Sequence, residues 1–259
     1  MKVVLFCGGL GTRLREHSDT IPKPLVNVGS KPLLWNLMKY YAHYGHKEFI
    51  LCLGYKGKMI KDYFLNYNTY MNQDFTMHGN SQRFEPAVSD ISDWKIHFVN
   101  TGLHANIGSR LQKVKQYLDG DDMFLANYSD QLSDLDLDMH IKRFSATDAI
   151  SSFVLVRPYQ SFHHVDINKE NYVERIESVS KSDFWINGGY MVFRSEIFDF
   201  MHEGEELVEE PFERLMKLRK LRAYQFEGFW HAMDTFKDKI KFDRMNGSGN
   251  KPWNVWGDA

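Results

Sequence analysis

The sequence predicts an α/β protein, a doubly wound, mixed but mostly parallel sheet of Rossmann-like form with a smaller β-rich portion toward the C-terminus. Three observations predict it. Apolar, partly β-branched runs alternate with amphipathic helical stretches through the first 157 residues, the pattern of a parallel sheet covered on both faces. The first run ends in a glycine-rich stretch, "CGGLGTRLREHSDTIPKP", Cys7 to Pro24, and in doubly wound sheets the ligand crevice lies beyond the carboxyl ends of the strands. After residue 157 the alternation gives way to hairpin-like segments.

The elements follow in order. Lys2–Cys7 reads as a buried strand, apolar on both faces. Pro32–Tyr44, "PLLWNLMKYYAHY", reads as a helix with proline at its start. Glu48–Leu53 is a second strand. Lys58–Tyr67 is a helix with Ile60, Phe64 and Tyr67 on one face. Ile96–Val99 is a strand, Ser109–Leu118 a helix, Met123–Tyr128 a strand that leads to Asp130, Leu137–Phe144 a helix and Ala149–Arg157 a strand. In the second part, Val165–Ser178 suggests a hairpin and Phe184–Phe193 a strand interrupted at Gly188–Gly189. Pro211–Leu218 is helical, Ala223–Phe226 a strand and Thr235–Met245 a helix. The tail "KPWNVW" carries two tryptophans that need a docking place.

Length and composition fit one domain spanning residues 1–259, with a first portion 1–157 and a second portion 158–259. Hydrophobic residues make up 43% and charged residues 25%, with a formal net charge of −2. That balance argues against binding nucleic acid by phosphate neutralisation. Cys7 and Cys52, the two cysteines, lie inside apolar runs and read as buried small hydrophobes, without disulfide or zinc spacing. The N-terminal apolar run is too short for a membrane span or a signal peptide, so a reducing, cytoplasmic setting and no membrane partner are expected. The polar segment 68–94 breaks the rhythm of the fold. It reads as a lid or a subunit contact, since long loops are usually functional or disordered.

The glycines after the first strand free backbone N–H groups for phosphate oxygens. Neither the P-loop pattern nor the dinucleotide fingerprint fits, because Leu14 stands where the third glycine of G-x-G-x-x-G would be. What remains is a glycine turn with two cations. Arg13 offers a bidentate fork, and Lys23 a point charge whose backbone is restricted by Pro22 and Pro24. Such a set suits attack at a nucleoside triphosphate, whose charge must be neutralised before an anionic nucleophile approaches. The bland alternative is a tight turn with two surface cations, which needs neither the prolines nor all three glycines.

"GGLGTR" followed by "PKP" resembles the sugar-phosphate nucleotidyltransferases that make NDP-sugars. "GYKG" at Gly54–Gly57, "GSRL" at Gly108–Leu111, "NGG" at Asn187–Gly189 and "GFWHAMDT" at Gly228–Thr235 extend the match in the family's order over nearly the whole chain. Within the family the chain is most similar to the cytidylyltransferases. The resemblance implies the reaction of CTP with a phosphorylated small-molecule acceptor to give a CDP-sugar and pyrophosphate, in the service of polysaccharide synthesis. It implies that Gly8, Gly9, Gly11, Thr12, Ser129 and Arg13 hold the nucleotide, that Lys23 and Arg110 join Arg13 in catalysis, and that Asp130 and Asp234 bind Mg²⁺. Either aspartate alone would read equally as a turn or cap residue. The acceptor's own phosphate is the nucleophile, so no serine, cysteine or general base is required. His163 and His164 are adjacent on an extended segment and point to opposite faces, so a shared metal is not expected.

Acceptor-side residues implied by the family are Glu177, Asn187, Gly188 and Gly189, but three places depart from its pattern. The family carries Glu-Lys-Pro before the "NGG" strand to grip the acceptor phosphate. Here Glu177 is followed by Ser178 and Val179, with Lys181 as the candidate replacement. "SFHHVDI" stands where a glycine-containing turn is usual, and "YSDQL" where glycines flank the aspartate. The triphosphate half is intact and the acceptor half altered, which points to an acceptor other than plain glucose 1-phosphate. The alternatives are a uridylyl- or thymidylyltransferase of the same family, and a catalytically silent nucleotide-binding regulator. In the resembling cytidylyltransferases an insertion at 68–94 reaches a neighbouring subunit, and its Tyr70, Phe75, Phe84 and Trp94 suit an interface. A homo-oligomer is therefore expected.

Overall fold

The computed structural model describes residues 1–9, 21–67, 75–78, 83–86, 89–159 and 162–257. Its strands are β1 (Lys2–Phe6), the short β2 (Asn27–Val28) and β3 (Lys31–Pro32), β4 (Glu48–Leu53), β5 (Phe75–His78), β6 (Arg83–Pro86), β7 (Lys95–Asn100), β8 (Met123–Tyr128), β9 (Gln131–Ser133), β10 (Ser151–Val156), β11 (His163–Ile167), β12 (Val173–Ser178), β13 (Ile186–Asn187), β14 (Met191–Arg194), β15 (Leu221–Gln225) and β16 (Trp230–Ala232). The α-helices are α1 (Leu33–His43), α2 (Gly57–Leu65), α3 (Ile107–Val114), α4 (Leu137–Ser145), α5 (Glu210–Lys217) and α6 (Phe236–Gly247).

The central sheet has eight strands in the order β13-β10-β14-β8-β1-β4-β7, with β15 also on β10. β7, β4, β1 and β8 are mutually parallel, and β14 is antiparallel to both β8 and β10. β13 and β14 pair with successive stretches of β10 and form one antiparallel strand broken at Gly188–Gly189, as the sequence predicts. The parallel strands bury both faces. Val3 and Leu5 join one core cluster, Val4 and Phe6 the other, so the run carries no polar alternation. The carboxyl ends of β1, β4, β7 and β8 open onto one edge of the sheet.

Local differences from the sequence reading have local causes. Pro32 does not begin the first helix. It pairs with Asn27 in the β2–β3 ladder with ψ 153°, and the helix starts at Leu33. Helix α3 begins two residues earlier than expected because the Asn106 side chain caps it, accepting from Ser109 N at 2.8 Å. The two-stranded ladder of β9 with β16 was not anticipated, since three-residue strands carry no readable period.

The hairpin β11–β12 stands apart. Its register places Val165 opposite Ile176 and Ile167 opposite Val173 on one face, all four exposed, with His164, Asp166, Arg175 and Glu177 on the other. Within segment 68–94 the described residues are the paired strands β5 and β6 and residues 89–94. Tyr70, one of the residues expected at a subunit contact, lies outside the described residues.

The tail docks as expected. Trp253 is 2% exposed and packs on Phe229 and Phe242 at ring separations of 5.7 and 5.3 Å, while Trp256 meets Trp35 edge-on at 6.2 Å. Trp253→Ala should lower stability by about 3–5 kcal/mol, the usual loss for emptying an aromatic site. Urea unfolding should show the midpoint falling while the slope is kept.

Candidate active site

Three groups converge on the carboxyl edge of the sheet. The first is the glycine turn after β1. Cys7 N donates to Cys52 O at 3.0 Å, and Tyr55 N donates to Gly8 O at 3.3 Å, so the turns after β1 and β4 are joined. Burial pushes the Cys7 thiol up to about 12, which fits the inert, packed reading of that cysteine. Gly8 is buried and Gly9 exposed. Gly11, Thr12 and Arg13, expected to hold the triphosphate, lie outside the described residues.

Arg110 sits beneath this turn. It is 3% exposed, carried on α3, and its guanidinium donates to Thr101 Oγ1 (2.6 Å), Gly102 O (3.0 Å), Gly8 O (3.1 Å), and Leu53 O and Leu103 O (both 3.4 Å). One side chain thus ties the turns that follow β1, β4 and β7. Its planar fork makes this possible, since no other residue presents five donors in fixed directions. The packing excludes side chains nearby. A Cβ at Gly8 would lie 2.1 Å from Arg110 Nη1, and one at Gly54 would lie 2.6 Å from Gly8 O. Among the described residues no carboxylate pairs with Arg110, so a buried positive charge remains under the turn. Burial pulls its pKa below the ordinary arginine value. Sequence reasoning expected a catalytic cation, and the side chain lies with its donors turned into backbone carbonyls.

The second group is Lys23 with Asp130 and Asp234. Lys23 opens a 3₁₀ turn, Lys23–Leu25, after Pro22 in extended conformation, and Pro24 is buried. Its ammonium lies 2.7 Å from Asp130 Oδ2 and 2.8 Å from Asp234 Oδ1. Burial alone would lower the Lys23 pKa, but the two carboxylates outweigh it and hold it above the ordinary lysine value. The three residues are far apart in sequence, and the β9–β16 ladder brings the aspartates together. Gln131 pairs with Ala232, and Met233 N donates to Asp130 O at 2.8 Å, so Asp130 and Asp234 flank the same end of the ladder.

Both carboxylates are partly open. Two hard oxygen donors beside a triphosphate site are a fitting set for Mg²⁺, which completes its shell with phosphate oxygens and water. Among the described residues no third histidine, cysteine or carboxylate joins them. Ser129, expected on the nucleotide, is buried and donates its hydroxyl to Phe6 O at 2.9 Å.

The third group is the set of residues expected on the acceptor side. Asn187 Oδ1 accepts from Gly189 N at 2.8 Å, and Gly188 O accepts from Trp230 Nε1 at 2.9 Å. Glu177 lies on β12 opposite His164 and pairs with Arg175, while Lys181 is exposed at the end of a 3₁₀ turn. Neither bonds to the Lys23 group. His163 and His164 are exposed neighbours on β11, as the strand reading predicts.

Sequence reasoning missed Gln131, Trp230, His231 and Asp238. The last had a readable signal, Thr235 three residues ahead of Asp238 at a helix start. Asp238 closes a capping box with Thr235 at the start of α6, and its Oδ2 also accepts from Asp234 N at 3.1 Å. His231 Nε2 holds Oδ1 of the same carboxylate at 3.0 Å. Asp238 therefore fixes the backbone that presents Asp234.

An open α/β sheet, with a glycine turn, a buried arginine and a lysine–carboxylate cluster gathered at its carboxyl edge, defines a nucleotide-binding protein of the doubly wound class. The family model described as Nucleotidyl transferase matches residues 2–244, and the chain belongs to that family. It is 36% identical over 258 residues to a glucose-1-phosphate cytidylyltransferase of Salmonella typhimurium, covering 99% of this chain and 100% of that one. The protein of the same name from Salmonella typhi gives the same identity and coverage. A crystal structure of HddC from Yersinia pseudotuberculosis complexed with GMP-PN shares the fold, with a TM-score of 0.67 at 23% identity, covering 95% of this chain and 99% of that chain. The family expected from the order of the motifs is borne out.

Burial works to raise the Asp238 carboxyl, but bonds from His231 and Thr235 hold it down at about 2, against an ordinary 3.8. A carboxyl lowered on folding adds stability above its unfolded pKa and loses it as pH falls through the folded one. Asp238→Asn should therefore be less stable than the parent at pH 7. Urea midpoints taken down the pH scale should show that gap narrowing between 3.8 and about 2.

Proposed function

We propose that the protein is a Mg²⁺-dependent cytidylyltransferase that joins CTP to a phosphorylated acceptor, giving a CDP-linked product and pyrophosphate. The observation that carries the reading is the single ammonium of Lys23 shared by Asp130 and Asp234 at the carboxyl edge of the sheet. The full-length similarity to glucose-1-phosphate cytidylyltransferases supports the choice of CTP and of a sugar 1-phosphate as the acceptor class. The replacement of the family's lysine by Ser178 supports an acceptor that differs from plain glucose 1-phosphate, either another phosphorylated sugar or a phosphorylated non-sugar molecule. Residues 1–157 and 158–259 serve the nucleotide and the acceptor within one domain. The protein works as a cytoplasmic homo-oligomer with segment 68–94 at the contact.

An oxygen of the acceptor phosphate attacks the α-phosphorus of CTP. The bond from the α-phosphorus to the bridging oxygen breaks, and pyrophosphate leaves with that electron pair. The acceptor phosphate is already ionised, so no residue has to remove a proton. Asp130 and Asp234 would hold Mg²⁺, which when bound would supply charge neutralisation at the triphosphate. The glycine turn with Arg13 receives the phosphates, and Arg110 fixes that turn while adding positive potential beneath it. Lys23 contributes a cation at the reacting centre. Gly188 and Gly189, beside Asn187, serve as the shelf for the acceptor, and Glu177 and Lys181 contribute to recognising it.

Pyrophosphate release, measured with each of four nucleoside triphosphates against a panel of phosphate monoesters, tests the reading. CTP should be preferred, and glucose 1-phosphate should be outpaced by another monoester. Turnover that persists in excess chelator overturns the metal assignment. Lys23→Ala should lower kcat on the order of 10²-fold or more, the scale of losing one preorganised electrostatic contact. An unchanged kcat in a folded variant removes Lys23 from the mechanism.

A further inference from the structure

We infer that Gln131 is a positioning residue for the acceptor, which locks the Gly188–Gly189 shelf to the strand that begins beside Asp130. The inference rests on the reading of that shelf given under Proposed function.

Gln131 directly follows Asp130 and opens β9. It is 2% exposed. Its carboxamide nitrogen donates to Gly188 O at 2.6 Å and to Asn127 Oδ1 at 2.6 Å. The orientation is forced rather than chosen. A backbone carbonyl can only accept, so Gln131 must turn its nitrogen to Gly188. Asn127 must then present its oxygen to Gln131, which leaves its own nitrogen for Tyr41 Oη at 2.9 Å. Gly188 O takes a second bond, from Trp230 Nε1 at 2.9 Å. Two donors from the two strands of one ladder thus converge on one carbonyl.

The backbone held this way is strained. Gly189 has φ +70° and the buried Tyr190 φ +49°. Consecutive left-handed residues, one of them bulky, persist only where the surroundings over-determine them. The shelf also rests directly on the carboxamide, for a Cβ at Gly189 would lie 2.1 Å from Gln131 Nε2. Removing the two donated bonds would free the break between β13 and β14 to relax toward an ordinary strand.

The same ladder carries Asp130 and Asp234 at its end. Shelf and carboxylates are therefore referenced to one small rigid frame. In-line displacement needs the attacking oxygen at a set distance from the α-phosphorus, and a misplacement of about 1 Å costs on the order of 10²-fold.

The test compares parent, Gln131→Met and Trp230→Phe under saturating CTP and then saturating acceptor. Methionine keeps the volume and removes both donors, and phenylalanine removes only the indole N–H. Gln131→Met should raise the acceptor KM about tenfold, the order expected for a buried carbonyl left short of a partner, and hold the KM for CTP within about twofold. Trp230→Phe should shift the same constant in the same direction, and the double variant should lose less than the product of the two, because both donors serve one carbonyl. Should Gln131→Met fail to fold, Trp230→Phe alone decides by the same split. A folded variant that shifts both KM values equally, or neither, overturns the inference while the proposed function stands. A parent protein that releases no pyrophosphate with any triphosphate overturns both.

Discussion

The shared ammonium of Lys23 is the constraint on which the site depends. Asp130 and Asp234 belong to segments more than one hundred residues apart, and their carboxylates meet at 2.7 and 2.8 Å from one nitrogen. Without a cation between them two carboxylates held this close repel each other. Lys23 removes that penalty, but only if it stays in place. Its long stem would normally lose much rotamer entropy on being fixed. Here the side chain is 13% exposed and its backbone lies between Pro22 and Pro24. Much of the ordering is already imposed by the chain. One lysine and two aspartates still leave one net negative charge at this spot, in keeping with the Mg²⁺ site proposed above.

Arg110 solves the opposite problem. The carbonyls after β1, β4 and β7 point into one buried spot where water cannot reach them, and buried carbonyls need donors. A neutral side chain would satisfy one or two. Arginine satisfies three turns together and stays charged despite its burial. The cost of burying that charge is offset by carbonyl dipoles in place of a carboxylate. A carboxylate partner would have cancelled the potential. Carbonyls keep it, so the residue that fixes the turn also makes the turn attractive to phosphate. The close approach of Gly8 and Gly54 follows from the same packing, since either side chain would collide with the guanidinium or with the carbonyl it holds.

How much of this was legible in the sequence varies with the physics of each part. The parallel sheet was legible because β1, β4 and β8 are apolar on both faces, and the break at Gly188–Gly189 because two glycines interrupt an apolar run. Lys23 stood out because prolines bound it, whereas Asp130 and Asp234 could be named only through the resemblance of their motifs to the family. Their meeting point could not be derived, since it is set by β9 and β16, strands of three residues without a period. Gln131 was passed over for the same reason. A glutamine in a polar-looking stretch gives no sign that it is 2% exposed. The role of Arg110 was only half legible. Its charge could be read from "GSRL", but its carbonyl partners come from three turns brought together by the fold.

The two halves of the crevice also differ in how they tolerate change. The nucleotide half is built into the sheet. Arg110, Gly8 and Gly54 are locked against each other at van der Waals limits, and a substitution at one disturbs the turns of three strands. On the acceptor half, Glu177 and Ser178 sit on the hairpin β11–β12, whose paired residues Val165, Ile167, Val173 and Ile176 are all exposed. A two-stranded hairpin with so little buried surface contributes little to the core, so its residues can be exchanged without loss of the fold. The three departures from the family divide along this line. "SFHHVDI" and the stretch after Glu177 lie on or beside the hairpin, where change is cheap. Ser129 and Gln131 lie in the core, where a new side chain must find partners. Both have found them, in Phe6 O and in Gly188 O. Each side chain thus completes its hydrogen bonds inward, and Gln131 shares with Trp230 the carbonyl of Gly188 at the break between β13 and β14.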